Sequence, residues 1–132
     1  MKRMLVFGLL LGLLAVGTLA ADEGEWSEWV AAQWKDGSWY LGKVAGQTSD
    51  GKYKINYADG DKWVVREDQI IKIPARMNLK VGDKVMAAWS NKRFYPGSVR
   101  SVTAAGAVIA WDDGDQPLLV AHGQIMPPLA AE

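Results

Sequence analysis

The chain has 132 residues, with 15 Lys and Arg against 15 Asp and Glu, one His and no Cys. Without Cys there are no disulfides, and a single His removes the usual zinc sites. The absence of a basic excess argues against a nucleic-acid partner.

Residues 1–21 read as a segment of their own. Lys2 and Arg3 form a basic start, Leu5 to Val16 is an apolar run, and Thr18-Leu19-Ala20-Ala21 offers small residues for cleavage. That is the layout of a secretory signal peptide, and the apolar run is shorter than the roughly 20 residues a spanning helix needs. The sequence therefore predicts an exported protein, periplasmic or extracellular, with no stable membrane span once residues 1–21 are removed. The remaining chain keeps 13 basic residues against the 15 acidic ones. Retention of the segment as an anchor is the alternative. Asp22 to Glu28 comes next as an acidic, frayed lead-in, in which Trp26 is free to fold back onto the first folded unit.

From here the chain repeats itself. Trp34, Tyr40, Gly42 and Val44 return at one constant offset as Trp89, Tyr95, Gly97 and Val99. A repeat of this kind outweighs the one-domain expectation from length and predicts two units of about 45 residues. The first spans 28–74, the second 81–128, with a linker at 75–80 short enough to keep the units in touch.

In the first unit, Trp29 to Trp34 reads as a strand with Val30, Ala32 and Trp34 on one face. Asp36-Gly37 is a turn signal, Trp39 to Ala45 a second strand, and Ser49-Asp50-Gly51 the next turn. Tyr53, Ile55 and Tyr57 alternate with Lys54 and Asn56 in a third strand. After Asp59-Gly60-Asp61, Lys62 to Arg66 is a fourth strand, Glu67-Asp68-Gln69 a helical turn, and Ile70 to Ile73 a last strand ended by Pro74.

The second unit gives strands at Lys84 to Trp89, Phe94 to Val102, Ala107 to Trp111 and Pro117 to Ala121. His122-Gly123-Gln124 then matches Glu67-Asp68-Gln69, and Ile125 matches Ile70. Pro96 fits a strand only at an edge or bulge. The step from Gly60 to Gly114 is one position shorter than the step from Gln69 to Gln124, which puts one extra residue in the fourth-strand region. Short strands parted by Gly turns at this spacing predict an all-β chain of two small barrels.

These residues resemble the Tudor and agenet group of SH3-like barrels. The resemblance rests on Val85-Met86-Ala87-Ala88-Trp89, Phe94-Tyr95-Pro96-Gly97-Ser98-Val99, Val108-Ile109-Ala110-Trp111-Asp112-Asp113-Gly114 and Gln124-Ile125, with their first-unit counterparts. It covers nearly all of 28–128 and implies two tandem five-stranded SH3-like (Tudor-like) barrels after a cleaved leader. It also implies an aromatic cage at one end of each barrel for a methylated Lys or Arg. Matched position by position, the cage candidates are Trp34, Tyr40 and Tyr57, then Trp89, Tyr95 and Trp111, with Asp59 or Asp112 adding charge attraction. The fourth aromatic of a complete cage is replaced by Gly60 and Gly114. Lys62 is expected near the first mouth, where it would repel a cation, so the second unit is the better candidate.

The same aromatics have plainer uses. Small barrels lean on Trp and Tyr for packing. The Asp-rich turns lack the spacing of a calcium loop and read as hairpin chemistry, and His122 stands alone as a turn residue. No nucleophile and base are paired, and no cofactor is implied. The reading is a non-enzymatic binding protein for a peptide or protein partner. The alternatives are an envelope-binding module for cell-wall peptide or glycan, or a structural protein whose aromatics only pack. A methyl-lysine reader would require delivery into a eukaryotic host.

Overall fold

The computed structural model describes residues 25–129; the segment 1–21, expected to be a leader, lies outside the described residues. The chain is all-β and builds two five-stranded antiparallel sheets. The first holds β1 (Trp26–Gln33), β2 (Trp39–Gln47), β3 (Tyr53–Tyr57), β4 (Lys62–Val65) and β5 (Ile70–Pro74), with a 3-10 turn at Glu67–Gln69 before β5. The second holds β6 (Lys84–Ala88), β7 (Phe94–Val102), β8 (Gly106–Trp111), β9 (Leu118–Ala121) and β10 (Ile125–Met126). The strand orders are β4-β3-β2-β1-β5 and β9-β8-β7-β6-β10. A four-strand meander whose fifth strand returns beside the first is the SH3-like barrel, made here twice.

Three local readings are corrected. Trp26 to Glu28 is not frayed: β1 begins at Trp26, which pairs with Pro74, because the tail of β5 gives these residues a ladder to join. The 3-10 turn of the first barrel has no counterpart at His122-Gly123-Gln124, which forms an ordinary turn. The extra residue of the second unit lies in the turn before β9. Ile55 faces Trp63 and Ile109 faces Leu118, so the longer offset has already returned when the fourth strand begins.

The repeated glycines have a steric cause. A Cβ on Gly42 would stand 2.9 Å from Cγ2 of Ile55 and 3.1 Å from the Asn56 carbonyl oxygen. On Gly97 it would stand 2.6 Å from Cγ2 of Ile109 and 2.8 Å from the Ala110 carbonyl oxygen. Each second strand therefore lies against its third strand at a point with no room for a side chain. The ladder slips just beyond, between Val44 and Gly46 and again between Val99 and Ser101, so both bulges occupy the same place in the repeat.

Each barrel has its own core. Ala32, Ile55, Tyr57 and Val65 fill the first, and Val85, Ala87, Val99, Ala107, Ile109, Trp111, Val120 and Ile125 the second. A third buried cluster belongs to both: Ala31, Leu41 and Ile73 from the first barrel meet Ala88, Phe94 and Met126 from the second. Neighbouring residues of a strand point to opposite faces. Ala31 and Ala32 are both 0% exposed because β1 is buried on both sides, one face in its own barrel and one in the shared cluster. Small side chains at these positions let the barrels approach. The large apolar side chains of Leu41, Ile73, Phe94 and Met126, each stabilising by roughly 1.5–3 kcal/mol when buried, then hold them as one body.

Polar contacts fix the docking. Leu41 N–H donates to the Lys92 carbonyl at 2.9 Å. Tyr40 and Arg93 face each other in an antiparallel bridge. Ser27 Oγ donates to the Gly123 carbonyl at 2.9 Å, where a Cβ on residue 123 would lie 2.9 Å from that hydroxyl. The turn 89–93 of the second barrel is thus seated on β2 of the first. Pro96, the counterpart of Leu41, is exposed in β7 opposite Met86.

Candidate binding site

The hairpin joining β1 to β2 brings the first set of aromatics together. Trp34 N–H donates to the Ser38 carbonyl and Gly37 N–H to the Trp34 carbonyl, both at 2.9 Å, which closes the turn. Asp36 accepts from Ser38 N–H at 2.9 Å and from the Tyr40 hydroxyl at 3.4 Å. Tyr40 and Trp39 fall on opposite faces of β2: Tyr40 packs against the first core and Trp39 against the shared cluster.

At the barrel end, Trp34, Tyr40, Tyr57, Asp59 and Asp61 line a cleft of about 80 Å³, room for several waters or one small side-chain head. Tyr57 is 5% exposed, and its hydroxyl donates to the Gln33 carbonyl at 2.8 Å. Its ring meets Trp34 edge-on, with centroids 5.2 Å apart. Burial, with Asp59 adding to it, pushes the Tyr57 phenol up to about 12. The Tyr40 phenol is raised too, first by burial and then by Asp36. Both tyrosines therefore stay neutral near pH 7 and present π-faces, with the carboxylates of Asp59 and Asp61 at the rim. The arrangement suits a cation with apolar substituents.

Two neighbours of this cleft are not legible from the sequence. Trp63 on β4 lies 6.0 Å from Trp34, centroid to centroid, and is 43% exposed. Lys35 lays its ammonium over the same pair, 4.2 Å from the Trp63 ring and 5.2 Å from that of Trp34. The surface therefore already carries one cation of the chain's own. Lys62 does not line the cleft; it is exposed and faces Asn56 across the ladder. Lys62 is therefore not one of the cleft's walls, and the preference for the second unit that rested on that placement goes.

The second set is built differently. Trp89 and Tyr95 are half-buried and meet edge-on at 6.0 Å, and Tyr95 meets Trp111 in the same way at 6.5 Å. Trp111 is 6% exposed and belongs to the core of the second barrel. Its indole N–H is buried without a partner among the described residues. Asn91 replaces Asp36 and donates to the Tyr95 hydroxyl at 2.9 Å. Arg93 sets its guanidinium 5.1 Å from the Tyr95 ring. Asp112 does not match Asp59: counted from the Gly42–Tyr57 and Gly97–Trp111 pairs it matches Ala58. Its carboxylate instead pairs with Lys84 at 3.5 Å.

His122 uses Nε2 on the Thr103 carbonyl at 3.0 Å and braces the turn before β8. Among the described residues no group of three or more His, Cys, Asp or Glu stands together to hold a metal.

The chain belongs to the family described as Domain of unknown function (DUF4537), whose model matches residues 27–124 and so runs through both barrels. No curated protein matches it. Among solved structures the chain is similar to AGDP1 AGD34 of Arabidopsis thaliana, with 17% identity over 83% of this chain and 86% of that one, at a TM-score of 0.48. It is also similar to the tandem Agenet domain 3-4 of ADCP1, with 22% identity over 83% of this chain and 92% of that one, at a TM-score of 0.43.

Proposed function

We propose that this is a non-enzymatic binding protein that takes a cationic side chain of a peptide or protein partner in the cleft of the first barrel. The observation that carries the reading is the cleft itself. Trp34, Tyr40 and Tyr57 supply neutral aromatic walls, and Asp59 and Asp61 supply the charge at the rim. A methylated ammonium is the chemistry such a lining favours, because it is positive yet poorly hydrated. Lys35 holds its ammonium over Trp34 and Trp63, and a cation entering against Trp34 has to displace it.

The test is a titration of intrinsic Trp fluorescence with a trimethyl-lysine peptide, its unmethylated twin and a norleucine twin. A saturable change for the trimethylated form, weaker for lysine and absent for norleucine, is expected. Trp34→Ala should weaken binding roughly tenfold, while Trp89→Ala leaves it in place. No change up to millimolar peptide would sink the reading.

We further propose that the partner is met outside the cytoplasm. The basic start at Lys2-Arg3, the apolar run and the small residues before Asp22 support this. Mass spectrometry of the protein recovered from cells checks it: a mass lacking residues 1–21 agrees, and a full-length mass overturns it.

A further inference from the structure

The turn at residues 89–93 is not used by the cation cleft, yet it is seated beside it. Leu41 N–H holds the Lys92 carbonyl at 2.9 Å, and the backbone of Arg93 bridges that of Tyr40, a wall of the cleft. Arg93 is half-buried there, its guanidinium 5.1 Å from the Tyr95 ring. Among the described residues no carboxylate stands within 4.0 Å of it, the four ion pairs being Lys43–Glu28, Lys52–Asp50, Arg66–Asp68 and Lys84–Asp112. Asp36, across the junction, is committed to Ser38 N–H and the Tyr40 hydroxyl. Asp113 is turned onto the amide of Asp115. Asn91, on the same turn, presents its amide to Tyr95.

A guanidinium resting on an aromatic ring keeps its in-plane N–H groups free and loses little freedom when they are used. That is a fork prepared for an oxyanion. We propose that Arg93 on its Tyr95 plate is an anion-receiving subsite that continues the cation cleft, so that the partner is a peptide carrying a positive side chain and, close by, a carboxylate. A singly charged carboxylate fits better than a phosphate, because Asp36 beside Tyr40 and Asp59 and Asp61 in the cleft repel a doubly charged group more strongly. Facing residues of an antiparallel bridge lie roughly 5 Å apart, and an extended peptide advances roughly 3.3 Å per residue. The bridge therefore keeps the two charges within a few residues of each other along the peptide, the reach of the side chains adding to the backbone spacing. The cation half of this inference rests on the function proposed above; the Arg93 half does not.

The experiment uses the full chain and isothermal titration calorimetry. The probes are Gly/Ser nonapeptides with one trimethyl-lysine and one Glu, placed two, three or four residues away on either side, each paired with a Gln twin. At least one Glu register is expected to bind roughly 5- to 10-fold tighter than its twin. Arg93→Gln should erase that gain while the Gln twin binds as before, and Arg93→Lys should restore only part of it. No register gaining, or the gain surviving in Arg93→Gln, overturns the proposal. If no trimethyl-lysine peptide binds at all, the cleft reading fails by itself. The subsite is then read from the Nε–H resonance of Arg93 during titration with a Glu-only nonapeptide. A saturable shift, absent with the Gln-only peptide, supports it, and an unmoved resonance rejects it.

Discussion

Residues 34–38 and 89–93 are the same hairpin turn at the same place in two barrels, and the chain uses them in opposite ways. The first is free, carries Lys35 and Asp36 with no net charge, and is hinged on Gly37; it frames an open cleft beside Asp59 and Asp61. The second is docked, basic and hinged on Lys92, and Phe94 behind it is buried at 3% exposure in the cluster the barrels share. Its counterpart Trp39 stays half-exposed at the edge of that cluster. One backbone plan serves here as a mouth and there as a plug. The aromatics that define the repeat hold each barrel together, while the residues between them decide what each turn does.

The largest expected difference between the two turns lies in Phe94 and Trp39. Phe94→Ala should cost about 3–5 kcal/mol, and Trp39→Ala about 2. Because the cluster belongs to both barrels, Phe94→Ala should lower the denaturation midpoint followed through either of them. A midpoint that moves only for the second barrel would break the idea of one body. Next comes the pair of strand glycines. Gly97→Ala should cost about 1–3 kcal/mol, and Gly42→Ala less, since its Cβ has a few tenths of an ångström more room. Equal costs by urea denaturation would show that the two barrels relax alike.

A smaller effect separates the hinges. Lys92 sits at a φ of 72° and Gly37 at 85°, both in the left-handed region. Lys92→Gly should stabilise by about 0.5–1 kcal/mol, and Gly37→Lys should destabilise by about 1. If Lys92→Gly destabilises instead, its side chain contributes to the docking in a way its backbone does not show.

The last contrast is silent at neutral pH. Tyr57 ionises at about 12 in the fold, against an ordinary value near 10. The folded state thus holds the proton more tightly than the unfolded chain does. Stability from this source is fully present below about pH 10 and is lost as pH rises from there through 12. Absorbance titration of the phenolates should show Tyr40 and Tyr53 titrating later than a free phenol and a last step, from Tyr57, that disappears in Tyr57→Phe. Trp111, which occupies the equivalent place, gives the second barrel no such step.

Much of this fold is legible in the sequence because the repeat is steric. Gly42 and Gly97 recur where a Cβ has no room, and Trp34, Tyr40, Trp89 and Tyr95 recur where a small barrel must bury large side chains. The first cleft is partly legible for the same reason: Trp34, Tyr40, Tyr57 and Asp59 do converge, joined by Asp61. The remainder depends on contacts between distant parts of the chain. Trp63 reaches Trp34 only once β4 has folded back along β3. Lys35 shows its role only when both rings are in place beneath it. The docking of Arg93 beside Tyr40 joins one repeat to the other and has no periodic signature. Asp112 follows its aromatic directly, whereas Asp59 stands two residues after Tyr57, and a shift of one residue along a strand or turn carries a side chain to the other face.

Pro96 limits how far the docking plan can be copied. The first barrel receives its neighbour's turn through the N–H of Leu41, and the position equivalent to Leu41 in the second barrel is a proline with no N–H to give. A further barrel, or another copy of the chain offering its free turn at 34–38, would meet a surface lacking the donor that this contact uses. A head-to-tail contact that does not close on itself generates open filaments if it can be repeated. In this chain the series lacks its next bond after the second member, so the first turn at 34–38 has no matching backbone donor at the equivalent place on the second barrel.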